Sequence, residues 1–254
     1  MAEIVRAGRS VRGARFWIFV AFMLVLMALF ALLGTWQIER LGEKDRLIAD
    51  VAARASEAPT SLPPVAEWPS ADFEPYDYRP VTLTGRYVPS QSVLVFTALS
   101  EPRGAARGPG DWVLTPFRLS SGGVVFVNRG FVPQESAPAF LDGKDLSGDE
   151  VTITGVARLG EAVGAFTPAP DTGRRTDWVR DPERLKRLAT VDDIVAPVYV
   201  DLPAGPPGAL PQGGETVMEF PNNHLGYAVT WYGFAALVPP LLWLWIRRQR
   251  RSGP

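Results

Sequence analysis

One imidazole, His224, stands in a chain of 254 residues that has no cysteine. Imidazole is the side chain best suited to hold a metal or move a proton near neutral pH. Asn222 or Asn223 can cap a helix beginning after Pro221, which puts His224 in its first turn. A helix N-terminus disfavours positive charge, and this favours the neutral, metal-coordinating ring. Tyr227, Ala228 and Trp231 follow at i+3, i+4 and i+7, so the same face offers a flat aromatic wall. The plainer reading makes His224 an interfacial polar residue or a structural hydrogen-bond donor. Arg129, in "VNRGF", carries a guanidinium shaped for planar carboxylates. It could equally pair with an acid of its own domain, with Gly130 permitting the turn. Trp36 and Gln37, in "GTWQ", could stack on a flat group and offer it polar contact. Otherwise Trp36 is an interfacial anchor and Gln37 satisfies exposed backbone.

Enzymatic signatures are missing. HExxH and GxSxG do not occur, and "GAARGPG" lacks the Lys-Ser/Thr of a phosphate-binding loop. A Ser-His-Asp triad would have to use a histidine at a bilayer surface. Without cysteine there is no disulfide framework, thiolate metal site or thiol nucleophile, and copper carriers built on Cys-x-x-x-Cys are excluded. No catalytic residue is expected.

These residues need elements to hold them. "FWIFVAFMLVLMALFALLGTW", residues 16–36, is uncharged over twenty-one positions. As a helix it would cover roughly 30 Å, the thickness of a bilayer's hydrocarbon core. Residues 227–246 form a second uncharged run that ends on Arg247-Arg248, with Pro239-Pro240 expected to kink it. The first run is longer than a signal-peptide core and no small-x-small cleavage site follows, so it reads as an uncleaved anchor. Ala21, Ala28, Ala31 and Thr35 line one face of the first run, and Gly226, Thr230 and Gly233 one face of the second. Such stripes predict close helix pairing, which would bring Trp36 and Gln37 near His224.

The net charge of −1 hides a segregation. The first fifteen residues hold four arginines against one glutamate, and the last eight hold four arginines and no acid. Basic ends around an acidic middle fit two cytoplasmic tails (1–15 and 247–254) and an extracytoplasmic domain (37–226). They argue against nucleic-acid binding, which needs the basic patch on the folded part.

"QIERLGEKDRLIADVAARA" predicts a charged continuation of the first helix. From Tyr78 the texture changes to short runs rich in Val, Thr, Tyr and Phe. They are "YRPVTLTGRYV", "SVLVFTAL", "DWVLTPFRL", "GVVFVNRGFV", "EVTITGVAR" and "PVYVDL". "SSGG" joins two of them into a hairpin, and Asp181-Pro182 opens one short helix. "EPRGAARGPG" and "PAGPPGALPQGGE" read as loops that cannot extend a strand. The expectation is a membrane protein of α+β class. Two transmembrane helices flank an antiparallel β domain, sandwich or small barrel, with a short helix. "VTLTG" and "VTITG" match one another, although strands ending on Gly can do so without a duplicated fold.

In this order between two membrane helices, "LGTWQIERLGEKDRLI", "PVTLTGRYV", "TPFRLSSGGVVFVNRGFVP", "VTITGVAR" and "NNHLGYAVTWYGFA" resemble the Surfeit locus protein 1 family. The resemblance runs from about Gly34 to Trp245, and VNRG and NxHxxYAxTWY are its most specific parts. Many members have tryptophan where this chain has Glu43 and Phe131. The resemblance implies an assembly factor for haem-copper cytochrome c oxidase, not an enzyme. Bacterial members are implicated in binding haem a, and the expected site follows from that. His224 would be the axial ligand to haem iron, with Tyr227, Trp231, Trp36 and Gln37 beside the macrocycle and Arg129 on a propionate. Lipid would shelter the isoprenoid tail. The implied partners are oxidase subunit I, the machinery that makes haem a, and the lipid bilayer. The implied place is a bacterial inner membrane, with the central domain periplasmic. Two rivals stay open: a cofactor-free chaperone of subunit I, and a membrane-tethered hydrolase.

Overall fold

The computed structural model describes residues 13–218 and 220–251, so the outer parts of both basic tails lie outside the described residues. The described residues form two compact units, 13–48 with 220–251, and 49–218.

In the first unit, α1 (Ala14–Ala55) and α3 (His224–Arg251) are long and apolar enough to cross a membrane. α1 continues unbroken past Trp36 through the charged stretch, as its helical spacing predicted. α3 is continuous across Pro239 and Pro240. The two pack antiparallel. Phe16 stacks on Trp245 at 5.2 Å near one end, and Phe30 stacks on Trp231 at 5.8 Å further along. Among the less exposed positions of α1, one run is spaced alternately three and four: Val20, Met23, Met27, Phe30, Gly34, Gln37, Leu41 and Lys44. His224, Ala228, Trp231, Ala235, Val238, Leu242 and Trp245 do the same on α3. This is the seven-residue repeat of helices that interdigitate at a shallow angle.

The expected small-residue stripes meet this seam only in part: Ala31 is half-buried, and the Thr35 hydroxyl reaches Tyr232 on α3. Ala21, Ala28, Thr35, Gly226, Thr230 and Gly233 are exposed, and a Cβ added at Gly226 or Gly233 would meet nothing within 4 Å. Aromatic side chains fill the seam instead. The one glycine it needs is Gly34, where a Cβ would lie 2.8 Å from the Tyr232 ring.

The second unit carries seven strands: β1 (Pro80–Tyr87), β2 (Val93–Leu99), β3 (Gly108–Leu119), β4 (Val124–Pro133), β5 (Val151–Leu159), β6 (Thr176–Asp177) and β7 (Val195–Asp201). β1, β5, β7, β4 and β3 are hydrogen-bonded in that order, and β3 pairs back onto β1, closing a five-stranded barrel. β2 and β6 extend the sheet beyond β3. Of sandwich and barrel, the barrel is therefore the fold. Its pairings are antiparallel except β4 with β7 and β2 with β6, which are parallel. β6 has two residues, too short for alternation to reveal. Gly108–Gly110 belongs to β3 although its composition reads as loop. At Gly110 a Cβ would lie 2.2 Å from the Val132 carbonyl oxygen, so the residue that looks like a turn former is there because neighbouring backbone comes close.

The matching "VTLTG" and "VTITG" are cross-strand partners. Val81 faces Gly155, Leu83 faces Ile153 and Gly85 faces Val151. Threonine hydroxyls meet across the pair, Thr82 with Thr154 at 3.2 Å and Thr84 with Thr152 at 2.9 Å. Each glycine stands where its strand changes neighbour. β1 leaves β5 for β3 at Gly85, and β5 leaves β1 for β7 after Gly155. A strand turning a barrel corner brings backbone close to backbone, and glycine permits it.

Val81, Leu83, Phe117, Val125, Val127, Ala157 and Val198 fill the barrel, and Trp68 and Phe73 join this core from the proline-rich stretch before β1. Trp68 donates its indole N–H to the Pro63 carbonyl at 2.9 Å. Outside the barrel, β2, β3, β4 and β7 pack Val95, Trp112, Phe126 and Tyr199 against Leu185 and Leu188 of α2 (Pro182–Ala189). Each fully buried Phe or Leu there contributes about 1.5–3 kcal/mol. Asp181 caps α2 by accepting from Arg184 N–H at 2.8 Å, as its position before Pro182 predicted.

Arg180 lies over the rings of Trp112 and Tyr199, 5.4 and 5.1 Å from their centroids, and donates to Glu161 through Nε at 2.9 Å. Burial pushes the Glu161 carboxyl up, but Arg180 outweighs it and the net shift is downward. A carboxyl whose pKa is lowered by folding stabilises the fold above its unfolded value, about 4.3. That contribution fades as pH falls through the lower, folded value. Acid titration followed by circular dichroism should therefore show Glu161→Gln with less loss of stability below about pH 4.3 than wild type. Identical acid limbs would refute this.

Candidate functional site

His224 is the first residue of α3, as Pro221 and the two asparagines predicted. Its backbone N–H reaches the Asn222 side-chain carbonyl at 3.4 Å, and Tyr227 N–H bonds the Asn223 carbonyl at 3.3 Å. The Asn222 amide in turn donates to Asp45 on α1 at 2.8 Å, and the Lys44 ammonium lies 4.9 Å from the centre of the Phe220 ring. The start of α3 is thus tied to α1 by polar contacts.

The central contact is between His224 and Gln37. The ring Nδ1 and Gln37 Oε1 are 2.7 Å apart, and the glutamine is only 8% exposed. A carbonyl oxygen has no proton to give, so the ring donates from Nδ1 and its other nitrogen keeps a lone pair. Among the described residues Nε2 makes no hydrogen bond. Its ring is half-buried. Further into the helix pair, the Thr35 hydroxyl and Tyr232 Oη are 3.0 Å apart. Gln37 does not merely satisfy exposed backbone, as one sequence expectation had it. Its partner is 187 residues away along the chain.

The other expected contacts divide. Trp231 and Ala228 lie with His224 on the seam; Ala228 is 1% exposed and Trp231 is stacked on Phe30. Tyr227 and Trp36 lie off the seam at 59% and 48% exposure, open on the surface beside it. The aromatic wall expected on one face of α3 is therefore split. One ring packs against the neighbouring helix, and one faces outward.

Arg129 belongs to β4 in the other unit. It is buried and forms a two-pronged ion pair with Asp145, the alternative in which it pairs with an acid of its own domain. The rest of "VNRG" is also occupied with folding. Asn128 donates to Asp201 at 2.7 Å and accepts from Gly130 N–H at 3.1 Å, while Thr216 donates to the same Asp201 at 2.8 Å. Gly130 has φ +128°, and a Cβ there would lie 2.3 Å from the Gln212 carbonyl. The motif locks β4 to β7 and to the loop carrying Gln212. Asparagine followed two residues later by glycine was the available signal, since asparagine side chains readily bond backbone two residues on.

The sequence profile of the SURF1 family matches residues 24–236, which takes in most of α1, the whole barrel, the first half of α3 and the His224–Gln37 pair. The chain belongs to the SURF1 family. It is 32% identical over 263 residues to a SURF1-like protein of Monosiga brevicollis, covering 98% of this chain and 94% of that protein. It is 32% identical to Surfeit locus protein 1 of Gallus gallus, covering 94% and 77%, and 31% identical to that of Homo sapiens, covering 93% and 79%. The SURF1 family is known for cytochrome c oxidase assembly and not for an enzymatic activity. Two membrane-length helices fit a SURF1 protein anchored in a membrane.

Phe131, one of the two departures expected from the family's pattern, is fully buried and packs edge-on against Trp112 at 5.9 Å. Glu43, the other departure, is exposed and pairs with Arg40 at 2.6 Å.

Proposed function

We propose that this SURF1 protein binds haem a at the outer face of a bacterial inner membrane and aids its insertion into subunit I of the oxidase. His224 Nε2 would be the axial ligand. The observation that carries the reading is the His224–Gln37 bond at the start of a membrane-length helix, because it presents one lone pair in a fixed direction. The donor set fits a porphyrin better than a bare ion. Among the described residues no group of three His, Asp or Glu side chains is placed to hold a metal. A porphyrin brings its own equatorial nitrogens and asks the protein for one axial donor. Bound haem would supply an iron centre that subunit I requires.

The chain's residues would hold and shield it. Tyr227 and Trp36, open beside the seam, offer flat apolar faces. Lipid around the helices would take the hydrocarbon tail. The arginines of both tails favour a cytoplasmic location for the helix ends remote from His224. On this reading His224 lies on the outer side and the barrel is periplasmic.

A visible spectrum tests this. The protein, purified from cells that make haem a, should show a Soret band that His224→Ala abolishes. A colourless protein that still supports oxidase assembly would overturn the reading. It would favour the cofactor-free chaperone, for which the Trp231–Phe30 stack speaks, since that ring is already used in holding the helices together.

A further inference from the structure

We infer that Gln37 is a positioning residue that fixes the tautomer of His224, so that the pair, and not the histidine alone, presents the coordinating nitrogen. The inference deepens the haem reading and rests on it for its purpose, although its first test needs no haem. A histidine side chain free in water favours the proton on Nε2, which would leave Nδ1 as the lone-pair donor, crowded by its own backbone. Here Oε1 of Gln37, 2.7 Å from Nδ1, inverts that preference. The proton is drawn to Nδ1 and Nε2 is left bare.

Gln37 is suited to this because it is itself held. It is 8% exposed and lies one turn beyond Gly34, where the Tyr232 ring packs against the backbone of α1. The bond also fixes the rotation of the imidazole, since a ring turned about its Cβ–Cγ bond would lose its acceptor. Outer partners of this sort on metal-bound histidines raise the basicity of the ligand, and their removal costs about tenfold to a hundredfold in affinity.

The single histidine makes the test direct. The full chain, haem-free and held in detergent, is labelled with ¹⁵N-histidine, and NMR then reports two ring nitrogens from one residue. Wild type should show a protonated Nδ1 and an unprotonated Nε2. Gln37→Leu should move the proton towards Nε2 and weaken haem a binding by about tenfold or more. Gln37→Glu, which keeps an acceptor at the same reach, should hold the proton on Nδ1 and retain binding. Gln37→Asn, one methylene shorter, should resemble the leucine variant and serves if leucine disturbs folding.

Wild-type protein protonated at Nε2, or a leucine variant with wild-type nitrogen shifts, would overturn the inference. The haem reading fails separately. If the tautomers respond as expected but haem a binding ignores His224→Ala, positioning stands and the cofactor does not.

Discussion

Gly85→Ala should unfold the barrel or bring it close to unfolding. The methyl group would lie 2.1 Å from the Arg118 carbonyl oxygen and 2.9 Å from the Leu119 Cα. Both are backbone atoms of β3, the strand that closes the ring against β1. No rotamer change relieves such a contact, so relief requires the β1–β3 ladder to part. Overpacked cores usually lose about 1–3 kcal/mol, and a clash with backbone at a closure point belongs at or above the upper end. A large loss for so small a change is expected because Gly85 faces Val151 on one side and Leu119 on the other, leaving it nowhere to move. Gly233→Ala is the control, with open space within 4 Å and a helical position where alanine is preferred. Urea melts followed by circular dichroism should separate the two variants widely. A Gly85→Ala midpoint within error of wild type would show that the ring does not close as described.

Asp177→Ala is the second large loss. Asp177 is fully buried in β6 and accepts from Arg184 Nε at 2.8 Å and Nη2 at 2.6 Å, as well as from Trp178 N–H at 2.7 Å. Arg184, on α2, reaches the Pro168 carbonyl at 2.8 Å with the same Nη2. Removing the carboxylate strands a guanidinium in the protein interior, which costs about 3–5 kcal/mol. Replacing both partners by apolar residues of similar volume should recover most of that, since the pair gains little over good packing. Urea midpoints of Asp177→Leu, Arg184→Met and the double variant Asp177→Leu/Arg184→Met, beside Asp177→Ala, form the test. Additive losses in the double variant would exclude the pair as the cause.

Asp177 also marks where the sequence was opaque. "TDWVR" contains no alternation, because β6 is two residues held beside β2 by the Leu94–Thr176 and Val95–Asp177 pairings and not by its own pattern. The longer strands were legible from β-branched and aromatic runs bounded by turn residues, and α2 from Asp181-Pro182. Barrel closure was not, because the Gly85–Leu119 pairing depends on strands meeting around a ring. The VTLTG–VTITG match did carry that information, as two equal strands crossing at two corners. It could be decoded only once Gly85 and Gly155 were seen to stand where neighbours change.

The candidate site was half legible. His224 stood out by rarity, and its place at a helix start followed from Pro221 and two asparagines. Its partner did not stand out. A glutamine after "GTW" is unremarkable until the two helices are paired, and most of the small residues that seemed to mark the pairing face are exposed. The seam is marked by heptad spacing, with large residues on most of α1 and alanines between large residues on α3. In a membrane helix that is nearly all apolar, such spacing is hidden among equally hydrophobic neighbours. Arg129 was conspicuous for the opposite reason: its charge suggested a ligand, and its partner Asp145 lies in a loop with no pattern of its own.

The seam between α1 and α3 is greasy along most of its length and carries three hydrogen bonds towards the start of α3. Stacked rings tolerate sliding; directional bonds do not. Thr35 with Tyr232, Gln37 with His224, and Asp45 with Asn222 therefore act as a latch that sets the register of two otherwise slippery rods. A shift of one turn would break all three at once, so the histidine's orientation and the alignment of the helices are gained or lost together.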